Sequence, residues 1–453
     1  MSGVTHIANA RVVDPSQNMD GPGEVLVADG VIAGIGERVD APGDAQRIDA
    51  RGLVVCPGLI DIHTHLREPG GERSETVASG ARAAAMGGFT TICCMGNTSP
   101  ACDTPMSVRH TIAQAERAGY ARVLPVGTLT RGLGGEALTD IEALLDAGAG
   151  ALSDDGRPLL DSNLMRRAME HAAQRGAVIF DHCEDLALTG AGVIHEGEVA
   201  ARLGLAGIPR LSESVAVARD CAITHLVGCR LHVCHVSTRE SVEAIRVAKA
   251  WDWPNGGGVT AEVSPHHLTM TERDVERLGA NAKMKPPLNT EADRLALIEA
   301  VRDGTIDCIA TDHAPHADDP ESTLIEDAPF GIIGLESALP VILTGFVSEG
   351  GAGAWDLSFV VEKMSCAPAR VMGWSDRGTL RPGVPADITL LDPDAQHEFT
   401  LDRLGGKSVN CPWLGERLRG LVLGTMVRGR WIWAHEDARA MGLSARSSPR
   451  EVG

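Results

Sequence analysis

Short apolar runs alternate with amphipathic stretches through the middle of the chain. "GLVVCPGLIDIHTH" reads as a strand, and "ETVASGARAAAMGG" as a helix closed by glycine. The strands "TTICCM" and "RVLPVG" are each followed by a helix, "MSVRHTIAQAERAG" and "IEALLDAG". "GALSDDG", "AVIFDHCED", "RLHVCHVST", "VTAEVSPHH" and "IDCIATDHAPH" continue the series. The helices "SNLMRRAMEHAAQRG", "SESVAVARDCAITHLVG" and "RESVEAIRVAKAW" stand between the first of these. Continuously apolar strands alternating with helices predict a parallel sheet covered on both faces. Eight such strands predict an α/β fold, a (β/α)8 TIM-type barrel over residues 56–370.

The ends of the chain have another pattern. "HIANARVVDP" and "EVLVADGVIAGIG" alternate with period two and carry Asp-Gly turn chemistry. "GTLRPGVPADITLLDP" and "VLGTMVRGRWIWA" look the same. Residues 1–55 and 371–436 together are read as one small β-sandwich domain. Residues 437–453 are read as a weakly packed tail.

Charge narrows the function. The 453 residues carry 61 acidic against 41 basic side chains, a net charge of −20. Such a chain binds nucleic acid and anionic membranes poorly, so neither is expected as a partner. An anionic substrate then requires a local basic pocket. There is no apolar run of ~20 residues and no basic-then-apolar leader, so a cytoplasmic protein is expected. The eleven cysteines lack zinc-finger spacing and sit in apolar stretches, which predicts reduced, buried thiols. Lysine occurs only at positions 249, 283, 285, 363 and 407.

The stretch "LIDIHTHLREPG" places His63, His65 and Arg67 on alternate residues after an apolar strand. Residues i and i+2 of a strand share a face, so the two histidines lie side by side. Strand five ends in "FDHCED" with His182, strand six in "HVCHVST" with His235, and strand eight in "ATDHAPH" with Asp312 and His316. All fall at C-terminal strand ends, where barrel enzymes build their sites. Four imidazoles exceed the usual three protein ligands of one catalytic zinc. Two metals fit better, with His63 and His65 on one and His182 and His235 on the other. A metal pair wants a bridging carboxylate, and "SDDG" at the end of strand four offers Asp154 and Asp155. His266, His267 and His313 are read as structural or supporting groups, and Cys93, Cys94 and Cys234 as packed thiols.

"DIHTHLREPG", "GNTSPACDT", "SDDG", "HCED", "HVST", "PPL", "GTIDCIATDHAPH" and "APFGIIGLE" together resemble dihydroorotases of the bacterial class I type, in the amidohydrolase superfamily. The resemblance covers essentially the whole chain. It implies a zinc-dependent barrel, with two ions per subunit, that reversibly hydrolyses (S)-dihydroorotate to N-carbamoyl-L-aspartate in pyrimidine synthesis. Matched motif by motif, the metal ligands are His63, His65, Asp155, His182, His235 and Asp312. Asp312 is also the implied catalytic general acid/base, serving a water that the metals acidify to hydroxide. Arg67, Asn97 and His316, with the backbone of Phe330 and Gly331, are the implied substrate contacts. The resemblance also admits a homodimer and association with aspartate transcarbamoylase.

Two other readings are weighed against this one. Dihydropyrimidinases, hydantoinases and allantoinases resemble the chain but bridge their metals with a carboxylated strand-four lysine, and the chain has no lysine before Lys249. Inactive relatives that scaffold aspartate transcarbamoylase have lost ligands, whereas every ligand position here is filled. Three departures stand out. Gly96 replaces the family's proline, which predicts a looser loop around Asn97. Lys285 stands where the family carries a substrate-contacting asparagine. "WDWPNGGG" reads as a small insertion before strand seven.

Overall fold

The structure, a computed structural model, describes residues 3–318, 320, 322–347, 355–439 and 441–443. Eight strands form the central parallel sheet. They are β1 (Leu59–Thr64), β2 (Phe89–Cys94), β3 (Arg122–Gly127) and β4 (Ala151–Leu152). Then come β5 (Val178–Asp181), β6 (Arg230–Val233), β7 (Gly258–Val263) and β8 (Cys308–Ile309). Neighbours in sequence are neighbours in the sheet. The ring closes just beyond β8, where His313 pairs in parallel with Thr64 and its carbonyl accepts the His65 amide at 2.7 Å. Asp61 fastens the same closure, accepting from the Thr311 amide (3.2 Å) and hydroxyl (2.5 Å).

Side-chain alternation divides the core in two. Ile60, Ile62, Val178 and Phe180 cluster inside the barrel. Leu59, Ile179, Leu231 and Val259 pack outward under the helices. The helices obey their local signals. Thr76, Thr104 and Thr238 cap the starts of Val77–Met86, Pro105–Ala118 and Arg239–Lys249. Gly119, Gly228 and Gly304 end three helices in the left-handed conformation that only glycine adopts cheaply.

The two chain ends form one eight-stranded sheet. Thr5–Asp14, Met19–Ala28, Val31–Gly36, Gln46–Asp49 and Val54–Pro57 come from the first end. Ile388–Glu398, Arg417–Val427 and Arg430–Ala434 come from the other. Ile7, Val25, Ile48, Val55, Leu390, Met426 and Trp431 from these strands pack into one core. The sheet must fold over itself to enclose them, which is the β-sandwich read from the alternating patterns. Val54–Pro57 pairs within this sheet and Leu59 opens the barrel, so the hand-over lies two to three residues beyond position 55. Residues after 436 are not all loosely packed: Ala438 and Leu443 are buried against the sandwich. Residues 440 and 444–453 lie outside the described residues. The expected insertion before β7 is a single short turn, Pro254–Gly256.

Among the described residues no helix is long and apolar enough to cross a membrane. All eleven cysteines are described, each buried with a free thiol.

Candidate metal centre

The site lies at the C-terminal mouth of the barrel. Strict alternation from Ile60 and Ile62, which face inward, would send His63 outward. The β1–β2 register shifts between Asp61 and Thr64, and His63 lies in the mouth beside His65, with ring centroids 5.5 Å apart. Asp155 follows the two-residue strand β4, His182 follows β5, and His235 and Asp312 follow β6 and β8. Arg67, His235 and Asp312 hold φ of 61°, 32° and 50°. Left-handed backbone at non-glycine residues costs about 1–3 kcal/mol each and gathers at functional sites.

Asp155 is the centre of the arrangement. Its Oδ2 lies 3.5 Å from His65 Nε2. Its Oδ1 lies 3.5 Å from His63 Nε2, 3.6 Å from His182 Nδ1 and 3.8 Å from His235 Nε2. His182 Nδ1 and His235 Nε2 face each other at 2.9 Å. On the β8 side, Asp312 Oδ1 is 3.1 Å from His65 Nε2 and 3.6 Å from His63 Nε2. One carboxylate therefore stands between two sets of imidazoles.

Each of three rings is oriented by a partner outside this cluster. His63 Nδ1 donates to Glu262 Oε1 at 2.5 Å, and His65 Nδ1 donates to Asn97 Oδ1 at 3.0 Å. His182 Nε2 faces Glu184 Oε2 at 3.3 Å. The other ring nitrogen of each then points into the centre. Asp154 is not part of the centre. Its carboxylate accepts from the Leu129 and Thr130 amides (2.7 and 3.0 Å) and pins the loop after β3. Burial pushes it up to about 6.

Burial and the neighbouring charges shift the groups of this centre in opposite directions. Burial alone would raise Asp155, but His182, His235 and His63 hold it well below the usual carboxylate range. Asp312 is also held low against the effect of burial, chiefly by His65. Burial would lower His182, yet Asp155 and Glu184 hold it up at about 9. Four carboxylates (Asp155, Glu184, Glu262 and Asp312) share this region with the basic side chains Arg67 and Lys285. Within the protein, His63 Nε2 and Asp155 Oδ1 are buried without a hydrogen-bond partner. Two orphaned lone-pair atoms 3.5 Å apart, amid imidazole and carboxylate donors, fit divalent metal of the zinc type. His63, Asp155 and His235 converge closely enough to share an ion, as do His63, His65 and Asp312.

The expected substrate residues lie around this centre. Arg67 is anchored by Nε to the Pro315 carbonyl (3.2 Å). Burial lowers its guanidinium, while Asp312 and Asp155 oppose that shift. Asn97 holds His65 and also approaches Asp155 Oδ2 (3.3 Å). Its neighbour Gly156 has φ +74°, and a Cβ there would lie 3.2 Å from Asn97 Nδ2, so the "DDG" glycine makes this approach feasible. His316 Nε2 donates to the Phe330 carbonyl (2.7 Å), and the Gly331 amide donates to the Lys283 carbonyl (2.8 Å). Both expected backbone groups are thus engaged within the protein. The loop at Gly96 is not loose. Its carbonyl accepts from the Thr98 and Cys102 amides, and a Cβ would meet the Val126 carbonyl at 2.7 Å. Lys285 meets a carboxylate of the protein itself, Glu184, at 3.1 Å. His313 is structural, its Nδ1 accepting the Gly334 amide at 3.1 Å.

Known proteins resemble this chain over nearly its whole length. A family profile described as "Dihydro-orotase-like" matches residues 52–241. A dihydroorotase of Geobacter metallireducens is 45% identical over 427 residues, 94% of this chain and 99% of its own length. The chain belongs to the dihydroorotase family. Another member, a dihydroorotase of Anaeromyxobacter dehalogenans, is 48% identical over 444 residues, 97% of this chain and 100% of its own. Among solved structures, the L-hydantoinase (dihydropyrimidinase) from Arthrobacter aurescens matches with a TM-score of 0.84 and 28% identity. It covers 95% of this chain and 96% of its own. The dihydroorotase-family chain is therefore a metal-dependent cyclic amidohydrolase on the same barrel-plus-sandwich frame.

Sequence reasoning passed over Glu262 and Glu184. Glu262 had a signal: it is a carboxylate inside the apolar strand "VTAEV", where an unpaired charge would be expensive. Glu184 sits two residues after His182 in "HCED", and nothing in the sequence distinguishes it from the adjacent Asp185, which caps the next helix.

Proposed function

We propose that the chain reversibly hydrolyses (S)-dihydroorotate to N-carbamoyl-L-aspartate, a step of de novo pyrimidine synthesis. The observation that carries this reading is Asp155, an aspartate lying between two histidine sets where the lysine-bridged cousins carry a lysine. His63 and His65 would hold one zinc ion and His182 and His235 a second, with Asp155 between them and Asp312 completing the set. When bound, such a pair polarises the amide carbonyl and acidifies the attacking water near neutral pH.

The chain's own groups do the rest. Asp312, held ionised by its histidine neighbours, accepts the proton of the attacking water and passes it to the leaving ring nitrogen. Arg67 grips the substrate carboxylate through paired N–H donors, which meets the need for a basic group in an acidic protein. Asn97 and His316 fix the ring against rotation, while the backbone at Phe330 and Gly331, engaged by His316 and Lys283, holds the loop behind them. Free, buried thiols suit a reducing cytoplasmic setting.

The test is one comparative assay on protein of measured metal content. Dihydroorotate is expected to be turned over far faster than dihydrouracil, hydantoin or allantoin. A faster rate on a substrate without a carboxylate would assign the chain to the cousin amidases instead.

A further inference from the structure

The interior of a TM-type barrel is ordinarily filled by branched aliphatic side chains. Here it contains a polar column. On β7, Val259, Ala261 and Val263 pack outward, so Thr260 and Glu262 face inward. On β6, Leu231 and Val233 pack outward, and His232 faces inward against Phe180, with centroids 5.0 Å apart. His232 and Glu262 are almost completely buried.

Their contacts form a continuous chain ending at the metal centre. His232 Nδ1 lies 2.8 Å from Thr260 Oγ1, and His232 Nε2 lies 3.0 Å from Glu262 Oε2. Glu262 Oε1 accepts from His63 Nδ1 (2.5 Å) and from the His235 backbone amide (3.3 Å). A single carboxylate therefore reaches two of the expected ligands, from strands β1 and β6. At His63 it fixes which ring nitrogen carries the proton. At His235 it holds a backbone that sits at a positive φ of 32°.

We infer that Glu262, oriented by His232, is a positioning residue that sets the His63 tautomer and the His235 backbone for metal binding. The physical reason is cost. Replacing a buried ionic group together with its partner by apolar side chains of similar volume is often neutral or stabilising. Glu262 lies in a barrel core otherwise able to supply them, and each of its oxygens receives a directed donor. An acceptor on His63 Nδ1 keeps the proton there and leaves the Nε2 lone pair for the metal. The inference rests on His63 and His235 being ligands.

The experiment is competition between a chromophoric chelator and the zinc-loaded enzyme, run on wild type, E262Q, H232A, H232Q and H63A. Glutamine places an amide against one of the two imidazole donors. E262Q is expected to weaken zinc retention about 10- to 100-fold and to shift the His63 ring ¹⁵N resonances, with the folded far-UV signature kept. H232A should weaken zinc in the same direction. H232Q, which retains a donor toward Glu262 Oε2, should recover most of the loss. A merely structural role would lower thermal stability and leave zinc retention and the His63 resonances unmoved. Wild-type zinc retention in both E262Q and H232A overturns the inference, and if E262Q does not fold, H232A decides alone. H63A separates the two levels. Full zinc content in H63A would remove the ligand assignment itself. Zinc loss in H63A beside normal retention in E262Q and H232A would remove only the positioning role.

Discussion

His65 and Asp312 meet across the closing edge of the barrel, with His65 Nε2 3.1 Å from Asp312 Oδ1 although 247 residues separate them. The contact exists because Thr64 pairs with His313 and Asp61 grips Thr311. The Asp312 carboxylate is therefore placed by barrel closure. Asp312→Asn preserves shape and removes the proton acceptor. Turnover is expected to fall by about 10² to 10⁴, the usual worth of a general acid–base group. Near-wild-type turnover at full metal content would remove Asp312 from the proton pathway.

Asp155 is the shared anion of the histidine sets. Asp155→Ala leaves those rings facing one another without it. Elemental analysis after dialysis should show metal falling from about two ions per chain to one or none, with activity lost in parallel. Retention of both ions would mean that another group bridges them.

Arg67 should act on substrate binding. A hydrogen bond to a charged group contributes about 1.5–3 kcal/mol, so Arg67→Ala should raise KM for dihydroorotate about 10- to 100-fold. Arg67→Lys should recover only part of this, since an ammonium lacks the planar fork. An equal loss on a carboxylate-free cyclic amide would show that the arginine supports the fold instead.

His267 provides a stability test. It is buried, close to Ser264 Oγ (2.7 Å) and to the Pro286 carbonyl (3.1 Å). Burial, followed by the influence of His235, pushes it down from 6.5 to about 4. The unfolded chain takes up its proton near 6.5 and the folded chain only near 4. The stability that a neutral His267 contributes is therefore complete above pH 6.5 and lost as pH falls through that window. A His267→Gln variant lacks this slope. Denaturant titrations should show the wild-type advantage over the variant shrinking by roughly 3 kcal/mol from pH 7 to pH 4. A pH-independent difference would mean that His267 titrates normally.

Much of the centre was legible in the chain because barrels impose a rule: reactive groups sit at the C-terminal ends of strands. His63, His65, His182, His235 and Asp312 all end apolar runs, and beside the resemblance to amidohydrolases the missing early lysines left an aspartate as the expected bridge. The supporting groups were less legible. Glu262 and Asn97 reach His63 and His65 from other strands, and local spacing carries no record of those partners. Gly96 shows the opposite limit. A residue that reads as permissive is packed against the Val126 carbonyl, so its freedom is taken by its neighbours.

The periodicity of apolar positions determined the eight-strand parallel frame, and the alternating ends determined the sandwich, because both follow from where each side chain must hide from water. The residues that converge at the barrel mouth were likewise legible at the strand ends of the chain. Tertiary structure alone decided their aim. Simple alternation would turn His63 away from the barrel interior, yet it lies at the mouth where the β1–β2 register shifts after Asp61. Glu262 then fixes the His63 proton from across the barrel, and closure brings Asp312 to His65. Local pattern fixes which face of a strand is apolar. Register and ring closure fix which atoms of distant strands come within bonding distance.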